Sequence, residues 1–396
     1  MADGPPEGDD LRDTYGHSPV AKMFGAADVY GIGYEPRRAD RSPLRLGIIG
    51  AGGVAQAKYL PAIARLRMLW DPVELVAVAD PDMRQGEKVA RVHGCRSYAG
   101  PDEMLDDEML DAVIVASPDR LHARHAEAAL ERGVPVLVEK PFTRTLAGAG
   151  RLCERAAPGA PTVMPVANLR FAPPLRRARE ITRQLPAFHG AGVLVGRMHL
   201  GYDYVELLEG ATVHLLDLAR YFMGDVRGVV AHGIGRRHGR SPYPFREAAI
   251  TLELASGSVA QISTSSSALS LKPWLRLEVH GDGAWLAVDD VFELTLYDSE
   301  LGPTKSWRPV LANTLLADEE FGGHMPQLEH FLQVVRGEEE ALLTAGDGYC
   351  AVELVVAVHL AIATGERIRL PLDAAAADAE LAAVLGRGGG IARSTG

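Results

Sequence analysis

Residues 44–55 read LRLGIIGAGGVA, and this stretch decides the fold. The apolar segment LRLGII predicts a short buried strand, and the glycines after it match the pattern G-x-G-x-x-G/A. In such a loop the first glycine permits a tight turn, the second lets the backbone approach a pyrophosphate, and the third small residue lets helix and strand pack closely. A helix that starts here also directs N–H groups at the phosphates. The predicted cofactor-binding residues of the loop are Gly50, Gly52, Gly53, Val54 and Ala55.

Apolar segments alternate with amphipathic ones over residues 44–165. VELVAVAD, DAVIVASP and VPVLVEK read as buried strands, and the segments between them have helical spacing. This alternation predicts βαβ units and a parallel sheet covered by helices on both faces, which is an α/β Rossmann domain. The alternative for the loop is a glycine-rich surface turn that binds nothing, and the strand-loop-helix context disfavours it.

Two charged residues after the second strand bear on the choice of dinucleotide. Asp80 stands at the end of VELVAVAD, where an acidic side chain binds the ribose 2′-OH of NAD. Arg84 follows four positions later, where it could reach the 2′-phosphate of NADP. We assign both residues to the cofactor and predict NAD, with NADP as the open alternative.

Composition divides the rest of the chain into three parts. Residues 1–43 are rich in Gly, Pro, Asp and Arg and predict a flexible N-terminal arm. Residues 166–372 carry strands that alternate in hydrophobicity, including a hairpin with its turn at Ser256-Gly257. They predict an α+β domain with a large, open-faced, mainly antiparallel sheet, and a late helix that returns to the first domain. Residues 373–396 are rich in Ala and Gly and predict a frayed tail.

The totals exclude several classes of protein. The chain has 396 residues with a formal net charge of -11, which argues against a nucleic-acid partner. Its three cysteines support neither a disulfide framework nor a zinc site, so no metal is predicted. The N-terminus lacks the pattern of a secretory signal, and no apolar run approaches the roughly 20 residues that span a membrane. We therefore expect a cytoplasmic protein without a membrane partner.

Residues 134–142, VPVLVEKPF, place two opposite charges and a proline at the end of an apolar strand. Ligands of an open parallel sheet bind beyond the carboxyl ends of its strands. There the ammonium of Lys140 could stabilise an alkoxide while Glu139 orients the lysine or the cofactor. A salt-bridged strand end is the alternative, and the local sequence leaves both open.

The ordered set GIIGAGGVA, VAVAD, SPDRLHARHAEAAL, VEKPF and HLLDLARYFMG resembles the Gfo/Idh/MocA family, the group of glucose-fructose oxidoreductase and inositol dehydrogenase. The resemblance covers about residues 44–372. It implies that 44–165 binds NAD(P), that 166–372 binds a sugar-like substrate, and that the sheet of this second domain forms a homodimer or homotetramer. It also implies that the lysine of the EKP tripeptide, Lys140, is catalytic.

The same resemblance points to a second catalytic group. His214 matches the histidine of the family's Asp-x-x-x-His pattern, which serves as proton acceptor or relay, and Asp217 matches an acidic residue that often follows it. The first Asp of the pattern is absent, because Gly210 stands at its position. The resemblance also implies a tyrosine as proton donor, as in some sugar-active members, so Tyr202 and Tyr204 are candidates, with solvent-facing loop aromatics as the alternative.

Further positions are assigned by resemblance to the pocket or the cofactor. Asn168 and Arg170 stand where the family often lines the substrate pocket, and Arg170 would either hold a polar substrate group or stabilise the domain interface. Ser117 and Pro118 match a strand-end turn that contacts the cofactor. His122 would touch ribose or substrate, or pack at the start of a helix.

The sequence therefore predicts an NAD(P)-dependent oxidoreductase acting on a hydroxyl or ketone carbon of a sugar, cyclitol or sugar derivative. Lys140 would polarise the oxygen, and His214 or a nearby tyrosine would relay the proton. One alternative is an enzyme that cleaves glycosides by transient oxidation with retained NAD. Another is an inactive nucleotide-binding relative, suggested by Gly210.

Overall fold

The computed structural model describes residues 42–69, 72–184, 192–197, 207–234, 247–266, 275–299, 302–303, 305–307 and 322–390. Within them, the first part of the chain contributes six strands to a parallel sheet. These are β1 (Leu44–Ile49), β2 (Val73–Ala79), β3 (Arg96–Tyr98), β4 (Ala112–Val115), β5 (Val136–Val138) and β6 (Val163–Pro165). The order across the sheet is β3-β2-β1-β4-β5-β6, so β1 and β4 flank the point where the strand order reverses. The predicted Rossmann sheet is confirmed.

Helices cover both faces of this sheet. They are α1 (Leu60–Leu69), α2 (Met83–His93), α3 (Pro101–Asp107), α4 (His122–Glu131) and α5 (Leu146–Arg155). A wider, π-helical turn at Ala55–Tyr59 precedes α1, and Pro61 at the second position of α1 has no N–H with which to continue the ladder of that turn. The turn buries Tyr59 beneath the carboxyl edge of the sheet.

The second sheet comprises nine strands among the described residues. They are β7 (Gly192–Arg197), β8 (Val226–Ile234), β9 (Glu247–Leu254), β10 (Val259–Ser265), β11 (Leu275–Gly281), β12 (Ala284–Asp289), β13 (Glu293–Tyr297), β14 (Lys305–Trp307) and β15 (Ile368–Arg369). Their order is β14-β13-β12-β11-β7-β10-β9-β8-β15, and all pairs are antiparallel except β7 with β10. Buried and accessible residues alternate along β9 and β10, so one face is packed and the other open. The hairpin predicted at Ser256-Gly257 is present, with Gly257 at φ +90°.

Five further helices complete the described structure. They are α6 (Pro173–Gln184), α7 (Val213–Met223), α8 (His324–Val335), α9 (Ala345–Thr364) and α10 (Ala374–Gly390). α9 packs against both β8 and α5 and so joins the two sheets, as predicted for the late helix. It is also long and apolar enough to cross a membrane, whereas the apolar runs of the sequence predict no such helix. Most of α9 is buried inside the protein, as is typical of a core helix.

The prediction that the chain frays from Asp373 onward is wrong for α10. Ala377, Leu381 and Val384 recur at helical spacing and are buried against the body of the protein. Asp378 accepts hydrogen bonds from the N–H groups of Leu146 and Ala147 (2.8 and 2.9 Å), so its carboxylate caps α5. An Ala-rich segment is a good helix former once one face can be buried.

Candidate active site

The glycine loop lies at the carboxyl edge of β1 and has the shape that a pyrophosphate requires. Gly50 has φ +101°, and a Cβ on it would lie 2.6 Å from the carbonyl oxygen of Ala116. A Cβ on Gly52 or Gly53 would meet nothing within 4 Å. The loop is therefore pressed against β4 at Gly50 and open above Gly52 and Gly53, which fits a dinucleotide on its outer side.

Asp80 is tied to this loop. Its carboxylate accepts hydrogen bonds from the backbone N–H groups of Ala51 and Asp82, both at 2.8 Å, and it is 8% exposed. The two oxygens have further lone pairs, so the contact with a ribose hydroxyl stays a prediction. The backbone N–H of Arg84 donates to Asp82 Oδ1 at 3.1 Å, and the side chain of Arg84 is exposed at the start of α2.

His122 links two turns at the carboxyl edge. One ring nitrogen lies 2.8 Å from the carbonyl oxygen of Ser117, the residue before Pro118, and the other lies 2.8 Å from that of Pro141. Only 1% of His122 is exposed, so of the two predicted roles the geometry supports packing. The Ser117 hydroxyl lies 2.9 Å from Nδ1 of His125. Ser117 and Pro118 thus stand at the expected turn, and their contact with the cofactor stays a prediction.

Glu139 and Lys140 have separate partners, which answers why two charges end a buried strand. Glu139 is buried and accepts from the hydroxyl of Tyr59 (2.7 Å) and from the N–H of Lys140 (2.8 Å). Burial, followed by the neighbouring Glu139, raises the pKa of Tyr59 well above its usual value. The ammonium of Lys140 donates instead to the carbonyl oxygen of Gly210, 2.7 Å away. The alternative of a salt bridge between the two side chains is therefore not what the structure contains.

His214 lies beside Lys140 in a shared pocket. It occupies the first turn of α7, directly after the π-helical turn Leu208–Thr212 that carries Gly210. Burial lowers the pKa of His214 well below its usual value, and the charges of Lys140 and His324 lower it further. The imidazole is thus neutral near pH 7 and can accept a proton. The pocket is lined by Lys140, Phe142, Pro165, Val166, Ala167, Val213, His214, Asp217, Leu343, Asp347, Gly348 and Ala351.

Arg170 and Asp217 bind each other, which favours the structural role over the substrate-binding role of the two that the sequence leaves open for Arg170. The Arg170 guanidinium donates to both carboxylate oxygens of Asp217 (2.8 and 2.6 Å) and also to Asp347 (3.2 Å). About 10% of each of the two paired side chains is exposed. Three of the hydrogen bonds of Arg170 are thus made to these carboxylates, and the catalytic role of Asp217, which also lines the pocket, stays a prediction. Sequence spacing could not reveal this pair, because 47 residues separate its members.

Asn168 opens the turn Asn168–Phe171 and follows Val166 and Ala167, which line the pocket. Its side-chain nitrogen donates to the carbonyl oxygen of Gly322 (2.6 Å) and lies 3.5 Å from Nδ1 of His324. His324 was not among the predicted site residues. The two glycines before His324 could have pointed to it in the sequence. Gly323 has φ +80° and caps α8, so it fixes the position of the residue that follows.

Two predicted candidates cannot be placed. Tyr202 and Tyr204 lie outside the described residues, as does nearly all of the predicted arm. Within the part of the chain that the structure describes, no group of three or more His, Cys, Asp or Glu side chains could hold a metal ion.

Comparison with known proteins gives the family. Residues 44–165 match the model described as "Oxidoreductase family, NAD-binding Rossmann fold", and residues 208–370 match "Oxidoreductase family, C-terminal alpha/beta domain". The chain belongs to the Gfo/Idh/MocA oxidoreductase family. Both the resemblance drawn from the sequence motifs and the NAD cofactor predicted from the glycine loop are confirmed at this level.

Relatives of the whole chain include dehydrogenases of sugars. The D-glucoside 3-dehydrogenase of Escherichia coli (strain K12) is 28% identical over 362 residues, which cover 83% of this chain and 98% of the relative. The D-apiose dehydrogenase of Paraburkholderia graminis is 26% identical, covering 76% of this chain and 84% of the relative. Among solved structures, GenD2 from gentamicin A biosynthesis in complex with NAD has a TM-score of 0.71 at 21% identity, covering 85% of this chain and 99% of GenD2. This structural likeness supports the fold.

Proposed function

We propose that this enzyme moves a hydride between NAD and a hydroxyl-bearing carbon of a sugar, cyclitol or related polyol. The observation that carries the proposal is the joint placement of Lys140 and His214 in one pocket at the edge that holds the glycine loop. The names of the two relatives, D-glucoside 3-dehydrogenase and D-apiose dehydrogenase, support the substrate class.

In this proposal Lys140 stabilises charge and His214 accepts the proton. NAD bound at the loop supplies the hydride acceptor. The Lys140 ammonium stabilises negative charge on the substrate oxygen, and His214, neutral near pH 7, takes the hydroxyl proton. The Gly210 carbonyl aims Lys140 from a fixed backbone position, so the lysine needs little reorganisation when substrate binds.

The same proposal covers the arrangement of the domains. Residues 44–165 hold the cofactor, and residues 166–372 complete the pocket and form the contact between subunits. The open face of the second sheet supports a homo-oligomer, since it carries the stacked rings of Trp285 and Tyr297, whose centroids are 3.8 Å apart.

A substrate screen tests the proposal. The protein purified without added nucleotide is mixed with NAD and with methyl glucoside, apiose or myo-inositol, and NADH absorbance is followed. Mass spectrometry of released nucleotide and of sugar products distinguishes net oxidation from cleavage of a glycoside by retained NAD. Absence of both NAD reduction and cleavage with every compound would overturn the proposal.

Lys140→Met should abolish turnover and leave NAD affinity nearly unchanged, because the variant loses the charge beside the substrate oxygen and keeps the loop. Calorimetric titration with NAD measures the affinity. Lys88→Met, an exposed lysine on α2, is the matched control and should behave as wild type. Loss of NAD binding in Lys140→Met would assign Lys140 a structural role.

A further inference from the structure

His324 is held in a single orientation by its neighbours. The Gly322 carbonyl can only accept a hydrogen bond, so the atom of Asn168 that faces it is the amide nitrogen. The same NH₂ group faces Nδ1 of His324 at 3.5 Å. Nδ1 is therefore the acceptor side of the ring, and the proton of the neutral imidazole lies on Nε2.

The backbone fixes this position as firmly as the side chains do. A Cβ on Gly323 would overlap the carbonyl oxygen of Asn168 and lie 2.8 Å from the N atom of Ala172. The first turn of α8 thus rests directly on the turn Asn168–Phe171, with no room for a side chain between them. His324, the first residue of α8, is only half-buried, which leaves part of its ring accessible.

His324 interacts electrostatically with both Lys140 and His214. Burial lowers the pKa of His324 to about 3, and the charges of Lys58 and Lys140 contribute to the shift. His324 in turn lowers the pKa of His214. An imidazole with so low a pKa is neutral near pH 7 and keeps one N–H group that it can donate.

We propose that His324 contacts the substrate and donates its Nε2–H to a substrate oxygen, with Asn168 as the positioning residue that orients the ring. The inference rests on the proposed function. Its ligand chemistry is an uncharged acceptor, a hydroxyl or ether oxygen of a polyol. His324 supplies from α8 a polar contact in a pocket where Gly210 offers no side chain.

Four variants test this role: His324→Ala, His324→Gln, Asn168→Ala and, as control, His93→Ala. His93 lies at the end of α2, at the sheet edge opposite the glycine loop. We expect His324→Ala to lower kcat/KM by roughly tenfold to hundredfold through KM, with NAD affinity unchanged, since one polar contact to substrate is lost. His324→Gln keeps an N–H donor and should recover part of the loss. Asn168→Ala should fall between wild type and His324→Ala.

Monodeoxy analogues of the best substrate identify the contact. Wild type should discriminate against one analogue, and His324→Ala should treat that analogue and the parent alike. Equal discrimination by both proteins overturns the inference while leaving the proposed function standing. If His324→Ala fails to fold, His324→Gln with the same analogues decides, since unchanged kcat/KM and discrimination there also overturn it. A wild type that turns over no polyol removes the proposed function, and the inference with it.

Discussion

The cofactor loop is built from consecutive residues, whereas the pocket beside it takes its polar side chains from distant segments. Residues 50–55 and Asp80 make the loop, with one hydrogen bond to Ala51 joining the two. Lys140 and His214 line the pocket, while Asn168 follows the lining residue Ala167 and contacts His324. These four side chains come from four separate elements, and Lys140 and Asn168 donate to backbone carbonyls. A short sequence motif is enough to form a site in which the backbone binds the ligand. A site that relies on side chains depends on the packing of distant segments.

Of the substitutions that distinguish the pocket from the cofactor loop, one at Arg170 should lower the stability of the protein most. Arg170→Met leaves the buried carboxylate of Asp217 without its cation and removes one of the two arginines that pair with Asp347, which should cost about 3–5 kcal/mol of the free energy of unfolding. Urea denaturation measures the loss. Arg177→Met, at an exposed ion pair on α6, should change it by less than about 1 kcal/mol. Equal effects would mean that the buried cluster does not support the pocket.

Substitutions in the glycine loop should have smaller effects, and these should differ between Gly50 and Gly52. Gly50→Ala forces a Cβ against β4 at a positive φ and should cost about 1–3 kcal/mol of stability. Gly52→Ala adds a methyl group on the open side, so the fold should keep its stability while NAD affinity falls. Thermal melting and NAD titration of both variants separate these outcomes. A Gly52→Ala protein that binds NAD as wild type does would place the pyrophosphate elsewhere.

The smallest expected effect is on the pH dependence of stability, which compares a histidine near the loop with His324. Burial lowers the pKa of His125 to about 4 near the loop, and that of His324 to about 3 in the pocket. The unfolded chain takes up these protons near pH 6.5, so the stability that the neutral histidines contribute is present above pH 6.5 and is lost as pH falls toward 4. Each accounts for a slope of about 1.4 kcal/mol per pH unit in that window.

Denaturation in urea at pH 6.5, 5.5 and 4.5 measures this slope. His125→Gln and His324→Gln should each flatten it by one proton, because glutamine does not titrate. Variants that follow the wild-type slope would show that these rings titrate alike in the folded and unfolded states.

The sequence predicts a structural feature well when the residues that form it lie close together in the chain. The strand-loop-helix order and the period of the later strands predict both sheets, since these patterns are written in neighbouring residues. The pair of Arg170 and Asp217 could not be predicted, because a free arginine and a paired one look alike in sequence. His324 escaped notice because its partner Asn168 lies 156 residues away. His214 could be predicted because the family pattern that it matches spans only five consecutive residues, from Gly210 to His214.

The contact between Asp378 and α5 also bears on how the protein is made. The first sheet and its helices occupy the early part of the chain, yet the N–H groups that open α5 bond to a carboxylate 231 and 232 residues downstream. On the ribosome these groups stay without that acceptor until Asp378 has been translated. The nucleotide-binding half therefore emerges with two N–H groups of one helix still lacking this partner, and α10 supplies it later.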